Sequence, residues 1–169
     1  ESRAQAFDIE RTSDGYYVLR NDGSGKVLDV ESGSLANGGN VQQYDYNGTE
    51  AQQWRIDHNG DGTYTFINKG SGRALDLFAG RADNGTNVQQ YTSNGTLAQK
   101  FTLERVGAEP GTQTVPDGIY AIGTSLSATG VLDIPAASTA DGANVQIYEA
   151  NGTSAQKYSL RYDGNGYYT

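Results

Sequence analysis

The sequence predicts an all-β protein built from three similar repeats, and two observations lead to this prediction. The first is a repeated segment: the fifteen residues NVQQYDYNGTEAQQW at 40–54 return as NVQQYTSNGTLAQKF at 87–101 and as NVQIYEANGTSAQKY at 144–158. The second is a composition rich in turn and strand formers, with 23 glycines and 12 tyrosines in 169 residues. Internal repetition of this kind is typical of folds assembled from one structural unit.

Each repeat contains four strand-like segments, which in the first repeat read GYYVLRN, KVLDVE, NVQQYDY and AQQWRID. Apolar residues alternate with polar ones, as in Leu28-Asp29-Val30 and Trp54-Arg55-Ile56, and a period of two places the apolar side chains on one face of a strand. Asp-Gly, Asn-Gly and Gly-Ser pairs between the segments favour tight turns. Three four-strand units with pseudo-threefold symmetry predict a β-trefoil. A four-bladed propeller would need a further unit, and a solenoid would not need units of this length.

The spacing of the repeats predicts how the chain is divided. Asp, Val, Gln, Tyr, Asn and Gln at positions 29, 41, 42, 44, 47 and 52 recur 47 residues later and again after a further 57. We therefore assign a single β-trefoil to 1–169, built from repeats 14–58, 61–104 and 117–161. Most of the extra length in the second interval lies in VGAEPGTQTVP, so we predict a linker at 105–116.

The two ends of the chain do not coincide with repeat boundaries. Residues 1–10 contain AQAFDIE, which matches the last strand of a repeat, and 166–169 match the start of a first strand. We expect the chain to derive from a tandem array with neighbouring modules. The three complete copies are nevertheless expected to close on themselves.

The charge and the residues that are missing limit the function. The net charge is −8 and no run of Lys or Arg is present, so a nucleic-acid backbone would be repelled and a basic membrane-docking face is lacking. No segment has the ~20 apolar residues of a membrane span, which predicts no membrane insertion. The absence of cysteine excludes disulfides and thiolate zinc sites, and is compatible with either a cytosolic or an exported bacterial protein.

Four Gln-x-aromatic segments resemble the Q-x-W motif of ricin-type β-trefoil lectins: Gln5-Ala6-Phe7, Gln52-Gln53-Trp54, Gln99-Lys100-Phe101 and Gln156-Lys157-Tyr158. Leu28-Asp29-Val30 and Val41–Tyr44 resemble two further elements of that family, and the resemblance covers nearly the whole chain outside the linker. It implies a non-catalytic carbohydrate-binding module that binds glycans or polysaccharides without a cofactor or metal. Such modules occur in glycoside hydrolases, toxins and bacterial surface proteins, so we expect a secreted or cell-surface location in a bacterium.

The resemblance implies one shallow sugar site in each repeat. An aspartate would accept hydrogen bonds from adjacent sugar hydroxyls, and a tyrosine ring would stack on the C–H face of the sugar. A glutamine and an asparagine would add polar contacts, and the motif glutamine would brace the site. The implied sugar-binding residues are Asp29, Gln42, Tyr44, Asn47, Asp76, Gln89, Tyr91, Asn94, Asp133, Gln146, Tyr148 and Asn151, and the bracing residues are Gln52, Gln99 and Gln156.

The chain departs from the family at one position in every repeat. In galactose-binding members an asparagine commonly precedes the motif glutamine, whereas Ala51, Ala98 and Ala155 stand here. The resemblance therefore does not imply a preference for galactose. Pro135 in the third repeat, and Phe78 and Arg81 in the second, follow their aspartates closely and predict that the three sites differ in shape.

Structural explanations remain open for the same residues. The motif glutamines can satisfy backbone groups, the aspartates can fix their own hairpins, and the tyrosines can cover a core edge. Asn-Gly-Thr, which also occurs at Asn84, matches a glycosylation sequon but is first a turn signal. A spacer or adhesive trefoil, a protease-inhibitor trefoil with one functional loop, and an enzyme are the alternative functions.

Two motifs are weak signals. Asp57, Asn59 and Asp61 imitate the start of a calcium loop, but Asn68 replaces its closing glutamate and a turn is favoured. Catalysis is poorly supported, since His58 is the one histidine and the notable carboxylates occur in triplicate.

Overall fold

The structure is a computed structural model that describes residues 7–11, 15–21, 23–106 and 118–160. Within these ranges the chain forms β-strands and short 3₁₀ turns and no α-helix, as the sequence predicts. The strands are β1 (Phe7–Arg11), β2 (Tyr17–Asn21), β3 (Val27–Val30), β4 (Val41–Tyr44), β5 (Trp54–His58), β6 (Tyr64–Asn68), β7 (Ala74–Leu77), β8 (Thr86–Tyr91), β9 (Phe101–Val106), β10 (Gly118–Thr124), β11 (Gly130–Asp133), β12 (Gln146–Glu149) and β13 (Tyr158–Leu160).

The first and last strands of the three repeats form a closed antiparallel barrel. Neighbours pair in the order β2, β5, β6, β9, β10 and β13, and β13 returns to β2. The closing contact places Tyr158 opposite Asn21, which repeats the pairing of Trp54 with Asn68 between β5 and β6. The predicted all-β trefoil is confirmed by this ring of strands.

Strand β1 pairs with β2 next to the point where β13 closes the barrel. It pairs antiparallel with β2, from Phe7 opposite Asn21 to Arg11 opposite Tyr17, and it runs parallel to β13. Phe7 thus faces Asn21 as Trp54 faces Asn68, in keeping with the sequence match between these strands. Residues 107–116 of the predicted linker and the 166–169 segment lie outside the described residues, whereas 105 and 106 belong to β9.

The second and third strands of each repeat form hairpins that meet one another around the pseudo-threefold axis. The hairpins are β3–β4, β7–β8 and β11–β12, and β8 of the second repeat pairs with β12 of the third. Three equivalent asparagines join them: Asn87 Nδ2 donates to Asn40 Oδ1 at 3.0 Å, and Asn144 Nδ2 donates to Asn87 Oδ1 at 2.8 Å. These bonds fix the three hairpins relative to one another.

The core lies between the barrel and the hairpins. Its largest fully buried side chains include Trp54, Phe66 and Phe101, and the two phenylalanine rings meet edge to face at 5.7 Å. Strand β3 departs from simple alternation, because all four of its residues are buried, Asp29 included. One face of β3 points to the core and the other is covered by the following 3₁₀ turns, so the aspartate lies at the bottom of a surface cleft.

Candidate functional site

Each repeat has one surface cleft between two short 3₁₀ turns. The first turn follows the aspartate-bearing strand and is called the post-Asp turn: Glu31–Gly33, Phe78–Gly80 and Pro135–Ala137. The second ends at the motif glutamine and is called the Gln turn: Glu50–Gln52, Leu97–Gln99 and Ser154–Gln156. The clefts of repeats one, two and three, named clefts 1, 2 and 3, have volumes of about 910, 700 and 360 Å³.

The floor of each cleft is an aspartate held by the glutamine opposite it in the hairpin. Asp29 is in register with Gln42, and Gln42 Nε2 donates to the carboxylate at 2.9 Å. The equivalent bonds from Gln89 to Asp76 and from Gln146 to Asp133 are both 2.8 Å. All three aspartates are only 6% exposed, so the carboxylates are preorganised acceptors that open to solvent only through the cleft.

The motif glutamines brace the cleft from beneath. Gln52 accepts the backbone N–H of Asn47 at 2.8 Å and donates to the carbonyl of Asp45 at 2.9 Å. Gln99 and Gln156 make the same two bonds in their repeats. Gln99 Nε2 also reaches Asp76 Oδ2 at 3.0 Å. These amides satisfy buried backbone groups and orient the aspartate, so the structural explanation and the bracing role describe the same contacts.

The walls of the clefts contain the predicted tyrosines and asparagines. Tyr44, Tyr91 and Tyr148 are 41%, 41% and 39% exposed, which leaves part of each ring free for stacking. Each asparagine lines its cleft, and its Oδ1 accepts the backbone N–H of the threonine two residues later, at 3.0, 3.0 and 2.9 Å for Asn47, Asn94 and Asn151. The glycine between them has φ near +70° in every copy, so the Asn-Gly-Thr turn is present as predicted.

Burial changes the pKa of two floor carboxyls. Burial raises the pKa of Asp29 above its usual value of 3.8, while the amides of Gln42 and Gln52 lower it in part and the charge of Glu31 raises it further. Burial likewise raises the pKa of Asp133, against the amides of Gln146 and Gln156. Desolvation disfavours the charged form, and the amide donors keep the carboxylate usable as an acceptor.

The post-Asp turns supply cleft residues that the sequence did not indicate. In each turn two successive residues have positive φ: Ser32 and Gly33, then Ala79 and Gly80, then Ala136 and Ala137. Glycine at two of the three equivalent positions was the available signal for this conformation. The third repeat has Ala137 there, at φ +51°, where an L-residue is strained.

The entrances of the clefts differ although the floors agree. The first positions of the two turns are named the rim pair, and they are Glu31 and Glu50 in repeat one, Phe78 and Leu97 in repeat two, and Pro135 and Ser154 in repeat three. Both members line cleft 2, Glu50 alone lines cleft 1, and neither member belongs to the lining of cleft 3. Phe78 lines cleft 2, whereas the neighbouring Arg81 pairs with Asp83 and is not part of the lining. The sequence indicated this loop as variable but gave no sign of Leu97.

The adjacent repeat completes two of the clefts. Asn68, Gly70 and Ser71 from the β6–β7 turn line cleft 1, and Leu126 from the β10–β11 turn lines cleft 2. No sequence pattern predicted these contributions, because they depend on how the repeats pack. Ala51, Ala98 and Ala155 line their clefts at the position where the resemblance would place an asparagine.

Other candidate sites have structural roles. Asp61 bonds Lys100 at 2.7 Å and Asp57 bonds Arg55 at 2.7 Å, so two carboxylates of the calcium-like segment are engaged in ion pairs around a hairpin turn. His58 packs edge to face against Tyr64 at 5.1 Å. Across the described ranges, no group of three or more potential metal ligands is gathered. The described part of the chain also has no helix that is long and apolar enough to span a membrane.

The fold is a β-trefoil, and each repeat has a cleft that contains a carboxylate, a side-chain amide and an aromatic ring. These features place the chain in the class of lectin-like trefoil domains. A family model described as "Ricin-type beta-trefoil lectin domain-like" matches the chain over residues 3–91 and 92–169. The chain therefore belongs to the ricin-type β-trefoil lectin-like domain family, as the sequence resemblance implied. A sequence comparison with curated proteins found no match.

Solved structures support this membership. ThreeFoil, a designed threefold-symmetric protein, is 40% identical with a TM-score of 0.72, covering 79% of this chain and 89% of that chain. An exo-β-1,3-galactanase from Clostridium thermocellum is 30% identical with a TM-score of 0.72, covering 92% of this chain but 29% of that chain, so the match spans less than a third of the galactanase. A ricin B-like lectin from Macrolepiota procera, solved with lactose, is 18% identical with a TM-score of 0.65 over 94% and 96% of the two chains, and shows the fold alone.

Proposed function

We propose that the chain is a non-catalytic carbohydrate-binding module with up to three sugar sites, one in each cleft. The observation that carries the proposal is the threefold recurrence of a buried aspartate bonded to a glutamine, beneath an exposed tyrosine ring. Vicinal sugar hydroxyls would donate to the carboxylate in charge-assisted hydrogen bonds, and the C–H face of the sugar would stack on the tyrosine. The glutamine amides hold the carboxylate in place before the sugar arrives.

Binding rather than catalysis fits the symmetry of the site. Glycoside hydrolysis requires two carboxyl groups in distinct roles, acid and nucleophile or base. The floor offers one aspartate per cleft, and it is the same in all three repeats. Glu50 adds a second carboxyl to cleft 1, yet leucine and serine replace it in the other repeats. Up to three weak sites with a common floor would instead gain avidity on a polysaccharide or a dense glycan surface.

We also propose that the module serves in a larger secreted or cell-surface protein with neighbouring modules. The support is the match to a part of the Clostridium thermocellum galactanase that is 29% of that chain. Fractionation of cells that express the natural protein, with detection by an antibody against this domain, tests the location. Recovery of all of the protein from the cytosol contradicts it.

A glycan array with three proteins tests sugar binding. The first is the wild type, the second has Asp29→Asn, Asp76→Asn and Asp133→Asn, and the third has Asp57→Asn, Asp61→Asn and Asp83→Asn. The control triple makes the same charge change at carboxylates outside the cleft linings. We expect the wild type and the control to bind at least one glycan class, and the cleft triple to lose roughly ten- to a hundredfold in affinity at each site, because charge-assisted bonds are lost.

Two results would contradict the proposal. Undiminished binding by the cleft triple would show that the floor carboxylates are not the sugar acceptors. Absence of binding by the wild type to every glycan and polysaccharide offered would favour a structural or adhesive spacer. Release of reducing ends from an oligosaccharide that the wild type binds would contradict the non-catalytic assignment.

A further inference from the structure

Cleft 2 has an apolar entrance above a polar floor. Phe78 and Leu97, its rim pair, are 54% and 52% exposed, and both line the cleft together with Asp76, Gln89 and Tyr91. Leu126 of the neighbouring repeat adds a third apolar wall. A cluster of large apolar side chains that stay exposed on one concave surface often marks a binding site.

The same positions in cleft 1 are occupied by carboxylates. Glu31 and Glu50 form its rim pair, of which Glu50 lines the cleft, and Asn68, Gly70 and Ser71 stand where cleft 2 has Leu126. The exposed apolar side chain of cleft 1 is Leu35, four residues beyond Glu31. The floors of the two clefts share their aspartate, glutamine, tyrosine and asparagine, so the clefts differ mainly in the rim pair, in the adjoining wall and in Leu35, which lines cleft 1 without a counterpart in cleft 2. These positions, and not the shared floor, must therefore decide any difference in the ligands that the two clefts accept.

The polar floor and the apolar rim of cleft 2 favour different chemical groups on the same ligand. The floor carboxylate and glutamine pair with hydroxyl groups, and the tyrosine suits a pyranose face. A hydroxyl group pressed against Phe78 and Leu97 would lose its water without gaining a partner, which is unfavourable. A compact apolar substituent on the same sugar would instead bury its methyl group against these side chains.

We propose that cleft 2 selects saccharides that carry an acetyl group, on nitrogen or on oxygen, and that Phe78 and Leu97 are the residues that determine this specificity. An acetyl group combines a methyl group for the apolar rim with a carbonyl oxygen for an amide donor, and Asn94 and Asn37, whose side chains carry such donors, are among the residues that line the cleft. An alkyl chain alone would leave the floor carboxylate without a donor. The inference rests on the proposed sugar binding at the floor.

Site-resolved NMR titration of the ¹⁵N-labelled chain tests the inference. The backbone amides of Asn94 and Thr96 report on cleft 2, and those of Asn47 and Thr49 report on cleft 1, since each lies in a turn that lines its cleft. The probes are matched pairs: N-acetylglucosamine with glucose, N-acetylgalactosamine with galactose, and acetylated with deacetylated xylo-oligosaccharides. We expect cleft 2 to saturate at a roughly fourfold lower concentration of the acetylated member in at least one pair, as burial of one methyl group predicts. The preference should be smaller at cleft 1, where Glu50 stands in place of Leu97 and Leu35 is the exposed apolar side chain.

Exchange of the rim pairs is the decisive variant. Phe78→Glu with Leu97→Glu installs the residues that repeat one already has at these turn positions, so the ratio between acetylated and unacetylated ligands at cleft 2 should fall to about one. The reciprocal Glu31→Phe with Glu50→Leu should raise the preference at cleft 1 towards that of wild-type cleft 2. Unchanged positions of the Asn151 and Thr153 amides in cleft 3 show that both variants are folded.

The possible outcomes separate this inference from the proposed function. Equal affinities at cleft 2 for both members of every pair, or a ratio that the Phe78→Glu, Leu97→Glu variant leaves unchanged, overturn the inference while binding itself supports the proposed function. A lack of response from every cleft to every saccharide overturns both. A preference that is seen only with the N-acetyl pairs, or only with the O-acetyl pair, supports the inference and identifies the linkage.

Discussion

Clefts 1 and 2 have the same floor residues but different rim residues. Their floors correspond residue by residue, because Asp29 and Asp76 are both buried, paired in register across a hairpin and bonded to Gln42 and Gln89. Their rim pairs are opposite in character: repeat one has two carboxylates, of which Glu50 lines cleft 1, and repeat two has two large apolar side chains that both line cleft 2. Floor residues also stabilise the fold through their hydrogen bonds, whereas rim residues are exposed and contribute little to its stability.

A second difference lies in how the loop beside each cleft is fastened. Gln90 Nε2 donates to the carbonyls of Ser34 and Ala36 in the loop of cleft 1, at 2.7 and 3.0 Å. Gln43 does the same for the loop of cleft 3, bonding Ser138 and Ala140. The equivalent position facing the loop of cleft 2 is Ile147, which has no side-chain donor. Cleft 2 therefore lacks the amide clamp of the other two.

The largest expected effect comes from removing the clamp of cleft 1. Gln90→Leu keeps the approximate volume of the buried side chain but deletes the bonds to Ser34 and Ala36 and the one from Ser71 Oγ at 2.6 Å. We expect the free energy of unfolding to fall by about 2–3 kcal/mol, because buried polar groups lose their partners. Urea denaturation measures it.

Ile147→Leu is the matched control for Gln90→Leu. It changes the same position in the third repeat without removing a hydrogen bond, and should cost less than about 1.5 kcal/mol. Native-state hydrogen exchange sharpens the comparison: the amide of Arg81, bonded to Phe78, should exchange faster than that of Ser34, bonded to Glu31. Equal losses of stability in the two variants would mean that the amide clamp does not distinguish the clefts.

An intermediate effect is expected from acidification of cleft 1. The sugar binding proposed for this cleft would use the charged form of Asp29, whose pKa is raised by burial and further by Glu31. A carboxyl with a raised pKa takes up its proton at a higher pH, so binding should weaken as pH falls, before an ordinary aspartate with a pKa of about 3.9 titrates. Full protonation should cost roughly tenfold or more in affinity.

The contribution of Glu31 to this titration can be isolated. Glu31→Gln removes a negative charge near Asp29, so the loss of binding in cleft 1 should shift to lower pH, with cleft 3 unchanged as an internal control. Ligand titrations followed at the Asn47 and Asn151 amides between neutral and acid pH give both midpoints. A midpoint that stays in place in cleft 1 would exclude Glu31 as a cause of the raised pKa.

The smallest effect is expected at the strained position of the third post-Asp turn. Ala137→Gly should raise the free energy of unfolding by about 0.5–1 kcal/mol, because glycine adopts φ +51° without a steric penalty. Gly80→Ala is the mirror control: a Cβ there meets no heavy atom within 4 Å, so any loss of stability reports the conformation alone. Thermal and urea unfolding that show the same sign for both changes would contradict this explanation.

Much of this architecture was predictable from the sequence. The threefold recurrence of the Gln-x-aromatic segments predicted three equivalent units, and the alternation around Leu28 and Trp54 predicted which side chains fill the core. The Asn-Gly-Thr segments predicted their turns, since Asn and Gly tolerate the backbone conformation needed. These features are local or periodic, so a linear reading of the chain contains them.

Only the tertiary structure showed which residues come together in each cleft. Leu97 and Phe78 are far apart in the chain and become a rim pair only because two turns pack together, and Leu126 reaches cleft 2 from a different repeat. The clamp of cleft 1 by Gln90, and the lack of one at Ile147, depend on which loop each repeat meets around the axis. Repetition within the chain therefore determined the fold and the common floor, through local propensity and the burial of periodic side chains. Contacts between repeats, which have no sequence period, decided how the three clefts differ.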